Sequence, residues 1–531
     1  RDSLADDSRP ITSHRRSSST RASKRTPLPR FIMDRQPLLS PLNETEAIDV
    51  AMEKPVLKIP VTYRAIMAAM IPLFASYSFG YVLLMPYSLV REINGTVSGT
   101  VLMNPKSEGG LGLTMAESDL FSSLACIGAM IGAACGFVLL DIIGRKSSIQ
   151  LCTFPFIGGC TLQALATSSV MLLTGRVIAG IGVGLSSVVV PVYISEVSSP
   201  TNRGVMGLGH QFSIVIGCVM GCVLGFPFQG EWRTLSWACI PAPATLLLLS
   251  FLLPKSPRWL VSKQKIELAK KSLIFLRGAS AKCIDSEIEN MQDVVNPAKS
   301  NVIAKGSTSE AVVMWKLLGL VSMLMVFQQF SGVLAIQLYG GAIFESTGLN
   351  SNLSGTLAQL TQLAFTGVAV TLVDRLGRKP LLLISTIILA ASMVALGFYF
   401  YIHSHHMDNY TGVRMSKMWA LGFVMMYEAG FALGMGALPW LLMSELAPAR
   451  FASQITSVAT LINWSCGFAV SEAYNTLLST FGESGIFWMF GSALHVALVF
   501  FVFFLPETNG QSLEAIELHF RKVQRLPSSK Q

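Results

Sequence analysis

The chain has 531 residues, of which 51% are hydrophobic and only 13% are charged. A soluble domain carries about twice that charged fraction, which argues against a soluble enzyme or a nucleic-acid-binding protein and leaves a polytopic membrane protein. The net charge of +9 is then read by position, because basic excess in such proteins collects in cytoplasmic loops.

Residues 1–63 read as a disordered cytoplasmic tail, Ser/Arg-rich at its start and without a secretory signal. Within it Asp34-Arg35-Gln36-Pro37-Leu38-Leu39 fits the acidic dileucine pattern that clathrin sorting adaptors read, with Asp34, Leu38 and Leu39 as its anchors. Apolar segments then recur at about 66–90, 118–140, 148–168, 171–195, 206–228 and 235–253. They resume at about 316–342, 354–373, 381–402, 418–442, 453–476 and 485–505. Each is near the ~20 residues a spanning helix needs. The expected fold is therefore an all-α membrane protein of twelve transmembrane helices in two six-helix halves, 64–254 and 316–506. Between them residues 255–315 hold ten Lys/Arg against six Asp/Glu, a linker with one or two amphipathic helices; 507–531 form a second tail.

Short loops carry Arg145, Lys146, Arg203, Arg375, Arg378, Lys379 and Arg450, whereas the first loop carries Glu92, Glu108, Glu117 and Asp119. The positive-inside rule then makes both tails and the linker cytoplasmic. Asn94 and Asn409 head sequons on the opposite side and are expected glycosylation sites. Asn43 fits the sequon too, but on the wrong side.

The halves repeat each other. DIIGRK at 141–146 answers DRLGRK at 374–379, the run ending at Glu196 answers that ending at Glu445, and PKSPR at 254–258 answers PETNG at 506–510. Duplicated halves put a binding site near the bilayer midplane, between bodies that rock against each other. Asp141, Arg145, Glu196, Arg203, Asp374, Arg378 and Glu445 fall at the cytoplasmic mouths, where paired charges would hold that side closed. The plainer alternative is solvated flank charge, worth little. Inside the membrane lie Gln211, Gln328, Gln329, Gln362, Trp440, Asn463 and Trp464, polar or amphipathic groups that are costly in lipid unless used. Carboxamides both donate to and accept from hydroxyls, and an indole offers a flat apolar face; interhelical hydrogen bonding would explain any single one. Glu428, Glu472 and His495 read as structural or pore-lining. Eight of nine cysteines sit in apolar runs, and no metal-ligand or nucleophile–base pattern occurs, so neither metal nor cofactor is expected. The first segment, 66–90, contains no Asp or Glu, so proton coupling through it is not expected.

One stretch carries a family likeness. Gly175 to Gly204 runs GRVIAGIGVGLSSVVVPVYISEVSSPTNRG. Its glycines Gly180, Gly182 and Gly184 lie inside an apolar run with no strand before them, so they serve helix packing and do not form a dinucleotide loop. The string, with Pro191, Tyr193, Glu196 and Arg203, resembles the GR…PxYxxE…RG pattern of the sugar porter family of the major facilitator superfamily. Gln328-Gln329-Phe330-Ser331-Gly332 and His210-Gln211 resemble that family's QQxSG and HQ. The resemblance covers about 64–518, and the chain resembles class III facilitative sugar transporters and their arthropod trehalose-carrying relatives. It implies facilitative transport of a hexose or related sugar by alternating access, at the plasma membrane or, through the dileucine tail, in endosomal-lysosomal membranes. The alternatives are a non-transporting sugar sensor, or a carrier of another polar solute such as a polyol or disaccharide. Departures from the pattern fall at Lys255 and Asn509 in the PESPR and PETKG positions and at Arg450, two places early. Others fall at Leu334 and Gly467 where Asn is usual, at Gln362, and at Met435 and Ala437.

Overall fold

The computed structural model describes residues 62–89, 101–103, 111–199, 202–225, 227–228, 231–278, 281–295, 310–404, 416–448 and 451–511. Asp34, Leu38, Leu39, Asn94, Asn409 and Arg450 lie outside them. Among the described residues twelve spanning helices follow one another. In the first half these are α1 (Tyr63–Met70, continued by Leu73–Leu89), α2 (Met115–Ile142), α3 (Gly144–Ala164), α4 (Ser169–Val197), α5 (Arg203–Gly225) and α6 (Trp232–Cys239, continued by Pro241–Leu249). In the second half α7 is Glu310–Phe330 continued by Val333–Ser346, α8 is Ser351–Leu376 and α9 is Arg378–Ser404. In α10, Met418–Gly430 and Leu438–Leu446 are joined by a π-turn at Phe431–Met435. The last helical run, Ala452–Phe504, contains a break at Gly482, whose φ of 68° and ψ of 175° no helix holds. It is two spans, α11 before the break and α12 after it. A glycine suits such a turn because it has no Cβ to clash at positive φ.

Two features differ from expectation. The loop before α2 contains a small antiparallel pair, β1 (Val101–Met103) with β2 (Leu111–Leu113). Among the described residues the linker holds three short helices, Pro257–Ser262, Ile266–Arg277 and Ala281–Val295, whose apolar sides, including Trp259, Leu273 and Ile288, form a small core of their own.

Close packing in the first half depends on missing side chains. A Cβ on Gly180 would lie 2.4 Å from the Ala125 carbonyl oxygen, and one on Gly184 would lie 2.0 Å from that of Ala129. The glycine face of α4 therefore lets its backbone touch α2, as packing-driven association in lipid requires. Arg176, fully buried, fastens the same bundle. Its guanidinium donates to the carbonyls of Phe121 on α2 (3.1 Å), Leu83 on α1 (3.4 Å) and Val82, and it lies over the Phe121 ring.

The halves meet along α2 against α11 and along α5 against α8. On the linker side Ser453 donates to Asp141 across the α2–α11 seam. At the far end of the same seam Ser123 donates to Glu472. The seam is therefore closed at both ends.

Candidate functional site: a polar cavity between the halves

A cavity of about 50 Å³ lies between the halves, room for roughly four waters. All seven membrane-embedded residues singled out from the sequence line it: Gln211, Gln328, Gln329, Gln362, Trp440, Asn463 and Trp464. Phe79, Leu83, Ile214 and Phe431 supply apolar wall, and Gln337 supplies one further carboxamide. Gln337 was missed, although an intramembrane Gln on α7 was itself a signal.

The geometry separates structural from available groups. Gln328 donates to the carbonyls of Met435 (2.9 Å) and Gly436 (3.1 Å), where the π-turn of α10 disturbs the helical ladder. Asn463 donates to the Gln328 amide oxygen (2.9 Å) and the Met325 carbonyl (3.2 Å) and accepts from Gln329 (2.9 Å). Gln328 and Asn463 thus spend their hydrogen bonds on protein, tying α7, α10 and α11 together. Gln329 Oε1, both polar atoms of Gln362 and Trp464 Nε1 have no protein partner. Two acceptors and two donors remain at one small cavity, the complement a polyhydroxylated ligand presents.

Phe79 meets the Trp464 ring edge-on at 5.5 Å, and His210 meets Trp440 edge-on at 6.1 Å. His210 does not line the cavity; it bonds Ser76 at 2.7 Å and supports Trp440 from behind. The departures Leu334 and Gly467 face each other, since a Cβ on Gly467 would lie 2.8 Å from Leu334 Cδ1. The two missing asparagines are therefore one change in space, in which leucine fills the volume that glycine vacates.

The mouth charges meet on the linker side. Arg145 makes a two-toothed pair with Glu196 through Nε (2.9 Å) and Nη2 (2.8 Å). Arg378 reaches Glu445 (3.2 Å) through Nη2 and Asp374 (3.0 Å) through Nη1. Glu196 also accepts from Ser256, and Glu445 accepts from Thr508, so the PKSPR and PETNG segments do the same work in each half. These ion pairs lie within a half, and the aspartates are what reach across. Asp141 accepts from Ser453 at the start of α11, and Asp374 accepts from the Val205 amide at the start of α5 (3.3 Å). Each carboxylate therefore sits at the positive end of the opposite half's helix. Arg203 stands at that same helix start, next to Gly204, where a Cβ would touch Asp374.

One pseudo-symmetric partner is inverted. Glu507 accepts from the backbone amides of Arg378, Lys379, Thr508 and Asn509, capping the first turn of α9. In the first half the equivalent position is Lys255, and α3 begins without a side-chain cap.

A twelve-helix, two-half membrane protein with a polar cavity between the halves and a matched set of contacts closing one side is a secondary transporter by architecture. Comparison with known proteins gives the family. The pattern of the sugar (and other) transporter family matches residues 64–520, and the chain belongs to that family. It is 34% identical over 493 residues to a facilitated trehalose transporter Tret1 of Apis mellifera ligustica, covering 91% of this chain and 93% of that one. It is 33% identical over 479 residues to the Tret1 of Culex quinquefasciatus, covering 88% and 87%. Among solved structures it resembles the proton:xylose symporter XylE bound to 6-bromo-6-deoxy-D-glucose. That match has a TM-score of 0.73 and 25% identity, and covers 86% of this chain and 99% of that one. The protein is a multi-pass membrane transporter of sugars, not an enzyme.

Proposed function

We propose that the protein carries a hexose or a disaccharide down its gradient by alternating access, with the seven cavity residues and Gln337 as its binding site. The observation that carries this reading is the set of unspent donors and acceptors on Gln329, Gln362 and Trp464, converging on one cavity between the halves. In the closed form described, about 50 Å³ is too little for a sugar ring, so binding has to open one side. Gln328 and Asn463 orient the site, and Gln329, Gln362 and Trp464 read hydroxyls. The likeness to trehalose transporters supports a disaccharide among the substrates, and the chain's place in a sugar family favours carrying over sensing alone. The linker side is cytoplasmic, with both tails, and the mouth charges form the gate there. The halves run 64–254 and 316–506, joined by the linker 255–315, with tails 1–63 and 507–531.

Binding of labelled hexoses, disaccharides and polyols to the purified protein tests this. Gln329→Ala and Gln362→Ala should each weaken the preferred sugar by about 1–3 kcal/mol, while Gln328→Ala should lower the folded yield first. If neither Gln329 nor Gln362 affects any bound sugar, the site is wrongly placed.

Asn94 and Asn409 are proposed to carry glycans on the opposite side. Asp34, Leu38 and Leu39 are proposed to bind a clathrin adaptor and hold the protein in endosomal-lysosomal membranes. Leu38→Ala with Leu39→Ala should move it to the cell surface, measured by surface biotinylation; an unchanged surface fraction counts against the motif.

A further inference from the structure

One buried acid has no part in the cycle above. Glu428 of α10 is fully buried, and neither of its carboxyl oxygens has a protein hydrogen-bond partner. It lines a second cavity, of about 10 Å³, with Gln337, Gln359, Cys222, Leu84 and Phe344. Gln359 Oε1, also buried there, has no partner either. Three acceptor oxygens thus border one small space, and no Lys, Arg or His is among the described residues lining it. A carboxyl group out of water is costly unless it is paired or coordinates a cation. The space is about the size of one water, which excludes a second sugar ring.

We propose that Glu428 and Gln359 form a site for a single monovalent cation, sodium or a proton, which holds the far side of the carrier closed. Leu84 on α1 and Cys222 on α5 come from the first half, whereas Glu428, Gln337, Gln359 and Phe344 come from the second. The site is assembled only while the halves meet there, so an occupant that prefers the assembled site shifts the population toward the closed form. Gln337 lines both this space and the larger cavity and stands between them. The cation enters and leaves on the far side and does not travel with the sugar. This rests on the carrier reading above, and adds that a far-side cation sets how often that side opens, with no driving force supplied.

Cys222 offers a readout that needs no sugar. In full-length protein that keeps Cys222 and has the other eight cysteines replaced, a membrane-impermeant thiol reagent labels it only when the far side opens. Rates are compared between this protein and the same protein carrying Glu428→Gln, which preserves shape. One series replaces choline with sodium at fixed pH, and another acidifies choline medium. The ratio of variant to parent rate should rise by about 3-fold or more along one series. A rise with sodium identifies the alkali ion, and a rise with acid identifies the proton. Gln359→Leu should move the midpoint of that same series to higher cation concentration. A ratio that stays flat in both series overturns the proposal, whatever sugar the protein carries.

Discussion

Ser256 and Thr508 show how the duplicated chain does one job twice, each hydroxyl donating to the gate glutamate of its own half. The repeat made the positions visible, but the sequence pointed first to charges, and these hydroxyls were passed over. The charged residues themselves were legible, whereas their partners were not, because pairing depends on how helix ends are rotated. At Lys255 the halves differ in sign. Glu507 gathers two amides at the start of α9 and two of its own segment, while a cation occupies the matching place by α3, where the helix dipole disfavours it. Lys255→Glu should therefore strengthen closure of the linker side, and Arg378→Ala, which strips Glu445 and Asp374 of their shared partner, should weaken it. Labelling of cysteines placed at that mouth should fall in the first variant and rise in the second, by about 3-fold each. Movement of both in the same direction would indicate general loosening and not a gate.

Helix α4 is the element whose sequence foretold most. Its glycines were read as packing surface, and they do set the α2 and α3 contacts. Neighbouring positions on α3 separate this role from helix propensity. A Cβ on Gly159 would meet the Ala179 backbone nitrogen at 2.3 Å, whereas one on Gly158 would meet nothing within 4 Å. Gly159→Val should thus cost about 1–3 kcal/mol or more by overpacking and sharply lower the monodisperse yield on size exclusion, and Gly158→Val should leave it near the parent. Equal losses would show that flexibility, and not close approach, is what the pair supplies. Other elements were less legible. Apolar runs gave α11 and α12 as separate spans, and the structure joins them through a single glycine. The break in α10 left no hydropathy signal, because its π-turn, Phe431–Met435, keeps its side chains apolar. Yet the α10 break exposes the carbonyls that Gln328 holds, and so it decides which carboxamides stay available for a ligand.

Across the whole molecule, twelve spans follow from hydropathy and the structure agrees, while a midplane site between duplicated halves is the expectation that repetition adds. The closure at both ends of the α2–α11 seam was not readable from sequence, since it depends on Ser123, Glu472, Ser453 and Asp141, which lie hundreds of residues apart in part. The central claim is that this closed body opens alternately and lets sugar move only down its own gradient. Helix α1 has no Asp or Glu from Tyr63 to Leu89, so it offers no acid whose protonation could link the two facing states. The most direct measurement uses the purified protein in liposomes with equal concentrations of a transported sugar on both sides and an imposed pH gradient. Labelled sugar should equilibrate and then stay level, with only its rate sensitive to the outer medium. Accumulation against the sugar gradient, abolished by a protonophore, would contradict the account.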